Sequence, residues 1–259
     1  MTDFIDEWAE TIAGIQTKAS WEWCYRFYTS YSMCPVAFNH TASVQNNFLV
    51  AVYNPSMISL NRTKIAVPHN NFSVHLFNEV SQAFELGEST VLCDDDTNCW
   101  LHATHEVLGH SLNFMLVQKN NSAKMADTQP IVSYIENDFQ TFQYLGYDDA
   151  IGQAFLIQKK NYMTAFNIGF ELRYYPAYQG FEGTRSGATV FRPRTNESLA
   201  YCNQTPSQVY YQNSSIVNQI TLVFQCLNGT NATVKARMYF DDPVIEWDIR
   251  TDEIPITDG

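Results

Sequence analysis

The hexad His105-Glu106-Val107-Leu108-Gly109-His110 holds the residue types of a metal site. The ordinary zinc-peptidase pattern is His-Glu-x-x-His, which puts both imidazoles on one face of a helix. Here the second His stands one residue further on. On a helix that absorbs the insertion, His105 and His110 would hold zinc and Glu106 would act as general base. Such a site needs a third ligand, and Glu136 is the downstream candidate. The competing expectation is a strand that happens to carry two histidines. Leu112, Phe114 and Leu116 alternate with Ser111, Asn113 and Met115, which suits a strand, and Gly109 weakens a helix by about 1 kcal/mol. A second acidic feature, Asp94-Asp95-Asp96, adjoins two cysteines. It reads as a solvated turn, with Ca²⁺ binding as the alternative.

Cysteines and glycosylation signals point to a compartment. Cys24/Cys34, Cys93/Cys99 and Cys202/Cys226 form three local couples with 9, 5 and 23 residues between partners. Six cysteines permit many connectivities, and local pairing is the simplest. None is spaced Cys-x-x-Cys, so a zinc knuckle or thioredoxin-type site is not expected. Asn-x-Ser/Thr occurs at Asn39, Asn61, Asn71, Asn120, Asn196, Asn203, Asn213, Asn228 and Asn231. Composition alone would produce roughly three, so a sugar-covered protein of the secretory pathway is expected. The opening Met1-Thr2-Asp3-Phe4-Ile5-Asp6-Glu7 has no basic n-region and no apolar h-region, so it is not a signal peptide. A chain with secretory marks and no entry signal is expected to be a piece of something longer. Fifteen Lys plus Arg against 27 Asp plus Glu leave a net charge of −12. That balance argues against nucleic acid and anionic membranes as partners. No apolar run approaches the roughly 18–20 residues that span a bilayer.

The elements that would position these residues are mostly strands. At 259 residues with 14% aromatics, the chain can bury a real core and favours sheet. Residues 3–31 are the exception. Phe4, Ile5, Trp8, Ile12, Ile15, Ala19, Trp23 and Phe27 recur at helical spacing, and Cys34-Pro35 ends the run. Strands are expected at 48–53, where Asn54-Pro55 is the stop, then at 65–67 and 73–77. The polar, sequon-bearing stretch 119–128 is expected to be a domain boundary. Further strands are expected at 131–135, 139–144, 154–158, 165–175, 189–191, 208–211, 219–227, 233–240 and 244–249, spacing that suits antiparallel sandwiches.

Several segments, in this order, resemble glycoside hydrolase family 38 and within it the lysosomal acid α-mannosidases. The helix with Cys24 and Cys34-Pro35 is similar to the last helix of the family's three-helix bundle. Phe48 to Tyr53-Asn54-Pro55 resembles its first strand after the bundle. Val107-Leu108-Gly109-His110-Ser111 is similar to a strand start that closes the linker domain. Ser133-Tyr134-Ile135-Glu136-Asn137-Asp138 resembles the opening of the large β-sandwich. Ser186-Gly187-Ala188-Thr189-Val190-Phe191-Arg192-Pro193 is similar to Ser-Gly-Ala-Tyr-Ile-Phe-Arg-Pro, with Thr189 in place of Tyr. Ile245-Glu246-Trp247 with Ile254 to Gly259 resembles the family's Glu-Trp…Asp-Gly segment, with Asp252-Glu253 in place of Val-Gly.

This resemblance implies a mainly β chain: residues 1–36 as the end of the bundle, 41–125 as a linker β domain, and 126–259 as the start of a large antiparallel β-sandwich. It implies part of a retaining, zinc-dependent exo-α-mannosidase acting on N-linked oligosaccharides. Nucleophile, general acid/base and zinc ligands would all lie in a catalytic barrel upstream of residue 1, leaving this chain inactive alone. One contribution survives. An aromatic residue before the Ser-Gly-Ala octad reaches the bound mannose in relatives. Tyr174, Tyr175 and Tyr178 crowd that place, and Tyr175 is the choice. The implied disulfides are Cys24–Cys34, Cys93–Cys99 and Cys202–Cys226, and the implied compartment is lysosomal, vacuolar or secreted. Two other classes compete. The histidine hexad is similar to the His-Glu-x-x-Gly-His helix of the dipeptidyl peptidase III family. A secreted glycan-binding β module without chemistry would also use the aromatics.

Overall fold

A computed structural model describes residues 47–67, 71–78, 80–93, 99–119, 127–129, 134–162, 164–178 and 191–252. The helix expected over 3–31 and the Cys24–Cys34 pair lie outside the described residues. The chain divides into two compact units, Met1–Ala126 and Asp127–Gly259. The described residues of each form antiparallel β-sheets, in keeping with the aromatic-rich composition.

In the first unit, β-branched and aromatic runs form β1 (Asn47–Tyr53), β2 (Leu60–Val67), β3 (Phe72–Asn78), β4 (Ala83–Leu86), β5 (Ser89–Cys93), β6 (Cys99–Val107) and β7 (Leu112–Lys119). One sheet has the order β1-β7-β3-β4 and the other β2-β6-β5. Alternation sends one face of each sheet into a shared core. In the first sheet Val50 sits opposite Met115, and Val74 opposite Val117. In the second, Ile65 and Val91 flank Leu101. These side chains form one cluster with Val67, Phe72 and Ala103. Cys93 and Cys99 close the β5–β6 ladder as an in-register pair and are disulfide-bonded.

The second unit contains β8 (Asp127–Gln129), β9 (Tyr134–Glu136), β10 (Gln140–Asp148), β11 (Gly152–Lys159), β12 (Ala165–Phe170), β13 (Arg173–Tyr174), β14 (Leu199–Ala200), β15 (Gln208–Asn213), β16 (Val217–Gln225), β17 (Asn231–Tyr239) and β18 (Ile245–Thr251). A four-stranded sheet, β12-β11-β10-β9, and a five-stranded sheet, β18-β17-β16-β15-β8, enclose the core, and β13-β14 is a separate ribbon. Trp247 on β18 ties the sheets together. Its indole meets Phe142, Phe155 and Phe170 of the four-stranded sheet edge-on, at 5.8, 5.2 and 5.7 Å. Such contacts contribute about 0.5–1.5 kcal/mol each beyond area burial. The other face of the five-stranded sheet is polar. Arg237, almost fully buried, donates to Gln219 and to Asp248, and Arg250 donates to both Asp248 oxygens. Burial pushes the Asp248 carboxyl up. The Arg250 hydrogen bond and the charges of Arg237, Arg250 and Lys235 outweigh it and hold the group below its usual range.

Two expected strands differ in extent, and the stretch expected as a boundary, which contains the division at Ala126/Asp127, also holds the start of a strand. The run 165–175 breaks at Glu171-Leu172, where the chain leaves the four-stranded sheet and starts the ribbon. The run 219–227 ends at Gln225, because Asn228 and Gly229 take φ of 59° and 75° and turn the chain into β17. The polar boundary stretch holds strand β8 at Asp127–Gln129, paired with β15.

Candidate functional site

The second unit's ribbon is the best-built exposed feature. Arg173 pairs with Ala200 and Tyr174 with Leu199. Further along, Ala177 bridges Pro193, the Tyr178 N–H donates to the Arg192 carbonyl, and the Arg194 N–H donates to the Pro176 carbonyl. The Arg173 guanidinium locks the base: Nε donates to Ser198 Oγ at 2.6 Å, Nη2 to the Ser198 carbonyl at 2.8 Å, and Nη1 to Glu171 at 2.6 Å. Tyr174 turns inward and meets the buried Tyr201 edge-on at 6.1 Å. Strand alternation then puts Tyr175, Ala177, Phe191 and Pro193 on the opposite face. Tyr175 is 44% exposed and Phe191 73% exposed, and their rings stand at 90° with centroids 5.3 Å apart. Tyr178, 46% exposed, belongs to the other set. A perpendicular pair of exposed rings offers one flat apolar wall and one edge, which suits the C–H face of a sugar ring. Phe191 carries no site role in the sequence reading. The signal available was a Phe placed just before Arg192-Pro193, in a segment with no apolar periodicity.

A cleft beside the ribbon is lined by Tyr147, Phe170, Glu171, Asn203 and Gln204. It is a shallow cleft open to solvent. Tyr144 lies behind it, donating to Gln153, which in turn donates to the Gln204 carbonyl. Burial, with the nearby Tyr211, pushes the Tyr144 hydroxyl up to about 12.

The histidine hexad does not lie on a helix. His105 is on β6, and His110 is exposed in the turn to β7 with φ of 55°. The segment expected as a strand start, 107–111, is instead the last residue of β6 followed by that turn. The β6–β7 connection breaks any i/i+5 helical face, so the zinc-peptidase arrangement of His105, Glu106 and His110 is absent. His105 Nε2 lies 3.3 Å from Thr63 Oγ1, and its buried Nδ1 has no hydrogen-bond partner. Burial, the larger cause, holds its pKa below the usual imidazole value. Glu136 ends β9 and pairs with Lys160 at 3.1 Å. Among the described residues no group of three or more His, Cys, Asp or Glu could hold a metal. His105, Glu106 and His110, as β6 and its turn place them, therefore do not form a zinc site. Asp94, Asp95 and Asp96 lie outside the described residues.

Two asparagines within the family-like motifs are architectural. Asn54, 1% exposed, holds two loops of the first unit together. Its amide donates to the carbonyls of Ile58, Val107 and Leu108 at 2.8, 3.0 and 3.3 Å, and its oxygen accepts from Ser56 N and Oγ. Asn137 does the same in the second unit, donating to Tyr239 and Asp242 carbonyls and accepting from Phe139 and Gln140 N–H. Each combines an Asx turn with a bridge to a distant loop.

The described sequon asparagines are all at the surface. Asn61, Asn196, Asn203, Asn228 and Asn231 are exposed, and Asn71 and Asn213 are half-buried. Asn39 and Asn120 lie outside the described residues. Asn54-Pro55-Ser56 fails as a sequon because of its Pro, and it is the buried one. The disulfide Cys202–Cys226 joins the ribbon's exit to the β16–β17 turn, so Asn203, Asn228 and Asn231 gather around it. The two disulfides among the described residues are compatible with an oxidising compartment, and among the described residues no helix is long and apolar enough to cross a membrane. A scan against protein-family models matches none, and a search of curated proteins returns no match.

Proposed function

We propose that this chain is the β portion of a retaining α-mannosidase that trims terminal α-linked mannose from N-glycans in a lysosomal, vacuolar or secreted setting. The carrying observation is the placement of Tyr175. It stands exposed on a ribbon locked by Arg173, just before the Ser-Gly-Ala…Phe-Arg-Pro octad, whereas Asn54, Asn137 and Trp247 of the other motifs serve the cores. In this reading Tyr175 lays its ring against the bound mannose and offers its hydroxyl. In this reading the nucleophile and the general acid/base would be two Asp residues of a catalytic barrel outside residues 1–259, where a zinc ion would grip the sugar hydroxyls.

The test starts with the native protein. After enzymatic removal of N-glycans, an immunoblot against residues 126–259 is expected to show a band several-fold larger than 29.7 kDa, or a large non-reduced form that falls on reduction. The purified native protein is expected to release mannose from oligomannose. Tyr175→Ala should lower kcat/KM by roughly tenfold or more, the equivalent of one good aromatic–sugar contact. A single band near 29.7 kDa in both lanes, with no mannose release, overturns the reading.

A further inference from the structure

We infer that β18, at the edge of the five-stranded sheet, pairs with β18 of a second copy of this chain across a two-fold axis, so that the two sheets run on as one. The inference is independent of the mannosidase reading. The ladder to β17 fixes which backbone groups remain for such a partner. The Asp252 N–H donates to the Asn231 carbonyl at 2.9 Å, one residue beyond the Ala232–Thr251 pair. Hydrogen-bonded pairs alternate along an antiparallel ladder, so Arg250, Asp248 and Glu246 turn their backbone N–H and C=O toward β17. Ile245, Trp247, Ile249 and Thr251 turn theirs outward, and among the described residues no strand pairs with that side. β18 has 7 residues, with no Pro or Lys to block pairing and no sequon whose sugar would stand in the way. The opposite end of the sheet, β8, has only 3. Two of the outward-bonding residues also leave apolar surface at the rim of the core: Ile249 is 49% exposed and Trp247 37%.

The side chains select a second copy as the occupant, because the strand is complementary to itself. Only alternate residues offer outward groups, so the two-fold centre falls on a residue and not between two. Centred on Asp248, the pairing sets Glu246 against the second copy's Arg250 and Trp247 against its Ile249, each twice by symmetry. It forms about eight cross-edge backbone hydrogen bonds. Glu246 has no ion pair among the described residues, so the second copy's Arg250 brings it a first counter-charge. Centring on Trp247 would oppose Glu246 to Asp248, and centring on Ile249 would oppose it to Asp252. Each of these alternatives forms about two fewer bonds and adds like-charge pairs, which destabilise. The chosen register does bring two Asp248 residues face to face, but Arg237 and Arg250 of its own chain already bind each carboxylate. An unrelated peptide strand would make the backbone bonds without the reciprocal charge pairs. One strand pair buries little surface, so the dimer is weak, with a Kd on the order of 10 µM.

The full 259-residue chain is followed by sedimentation velocity from about 1 to about 200 µM, a range that brackets the expected Kd. Its mass is expected to rise from one chain to two. Ile249→Lys puts a charge on the edge, and Thr251→Pro deletes one outward N–H while leaving the bonds to β17. Each should weaken dimerisation by about tenfold or more, with melting temperatures near the wild type at low concentration. Glu246→Gln, which removes both cross-copy ion pairs, should weaken it by about fivefold. Amide exchange supplies a residue-by-residue readout. The N–H groups of Trp247, Ile249 and Thr251 should gain protection as concentration rises, while those of Glu246, Asp248 and Arg250 are protected throughout. A single-chain mass across the whole range overturns the inference, as does a dimer that survives both Ile249→Lys and Thr251→Pro. Outward amides protected equally at every concentration overturn it too, because a strand of the same chain would then hold the edge. None of these results bears on mannose release from the native protein, by which the mannosidase reading fails separately.

Discussion

Asn54 offers the sharpest test of how the first unit is held together. Its amide feeds three carbonyls and its oxygen takes two Ser56 donors, at 1% exposure. In Asn54→Ala, the Leu108 carbonyl keeps Ser111 N and Oγ, and the Ile58 carbonyl keeps Ser56 Oγ. The loss therefore concentrates on the buried bond to the Val107 carbonyl. One net hydrogen bond of about 1 kcal/mol plus about 1–3 kcal/mol for an unsatisfied buried acceptor gives about 2–4 kcal/mol. For a domain of this size that lowers the unit's melting temperature by about 10 °C or more. Asn54→Asp is the informative partner. Its carboxylate keeps both Ser56 bonds but turns a charge onto three carbonyl oxygens, so it should cost more than Ala at pH 7, about 3–5 kcal/mol. The variant's folded pKa is raised, so its penalty grows as pH rises through the unfolded value of about 3.9 and shrinks below it. The assay is urea unfolding at pH 3.5 and pH 7, with hydrogen exchange following residues 54–60 and 107–112. An Ala variant within about 0.5 kcal/mol of the wild type, or an Asp variant no worse than Ala at pH 7, refutes the clamp.

Four further outcomes follow from the same geometry. His105 has a depressed folded pKa, so stability is full above the unfolded value near 6.5 and falls as pH drops through the folded value. His105→Gln should flatten the urea midpoint between pH 7.5 and pH 5, and an unchanged slope would assign the acid sensitivity elsewhere. Asp248 is depressed, so its contribution is present above about pH 4 and lost as pH falls further. Asp248→Asn, which leaves Arg237 buried without its counter-charge, should cost about 3–5 kcal/mol in the second unit by calorimetry, and a cost under about 1 would contradict that. Replacing Cys202 and Cys226 together by Ser opens a loop with a sequence separation of 24 and should cost about 3 kcal/mol, read as a shift in thermal midpoint. Glycopeptide mapping should find sugar at exposed Asn61, Asn196 and Asn203, and their uniform absence would remove the secretory assignment.

Local chemistry made much of the sheet legible. Phe48 to Tyr53, Ser73 to Phe77 and Thr233 to Tyr239 read as strands because β-branched and aromatic residues there suit a pleated, half-buried backbone, and Asn54-Pro55 marks the stop. Period and turn residues are properties of a few neighbours, so the sequence carries them directly. The histidine hexad shows where that runs out. His-Glu-x-x-Gly-His is equally a helical metal face and a strand leaving into a turn, and only pairing of β6 with β2 and β5 decides between them. Asn54 and Asn137 look like ordinary turn formers in sequence. Their importance comes from carbonyls of Val107 and Tyr239, 53 and 102 residues away, which only the folded chain delivers. Likewise, Tyr175 could be singled out as an aromatic before a motif, but its perpendicular partner Phe191 could not. Those rings meet because the Ala177–Pro193 bridge folds the ribbon back on itself. A side chain's type is written in the sequence. Its neighbours, burial and orientation are set by long-range pairing, which the tertiary structure alone supplies.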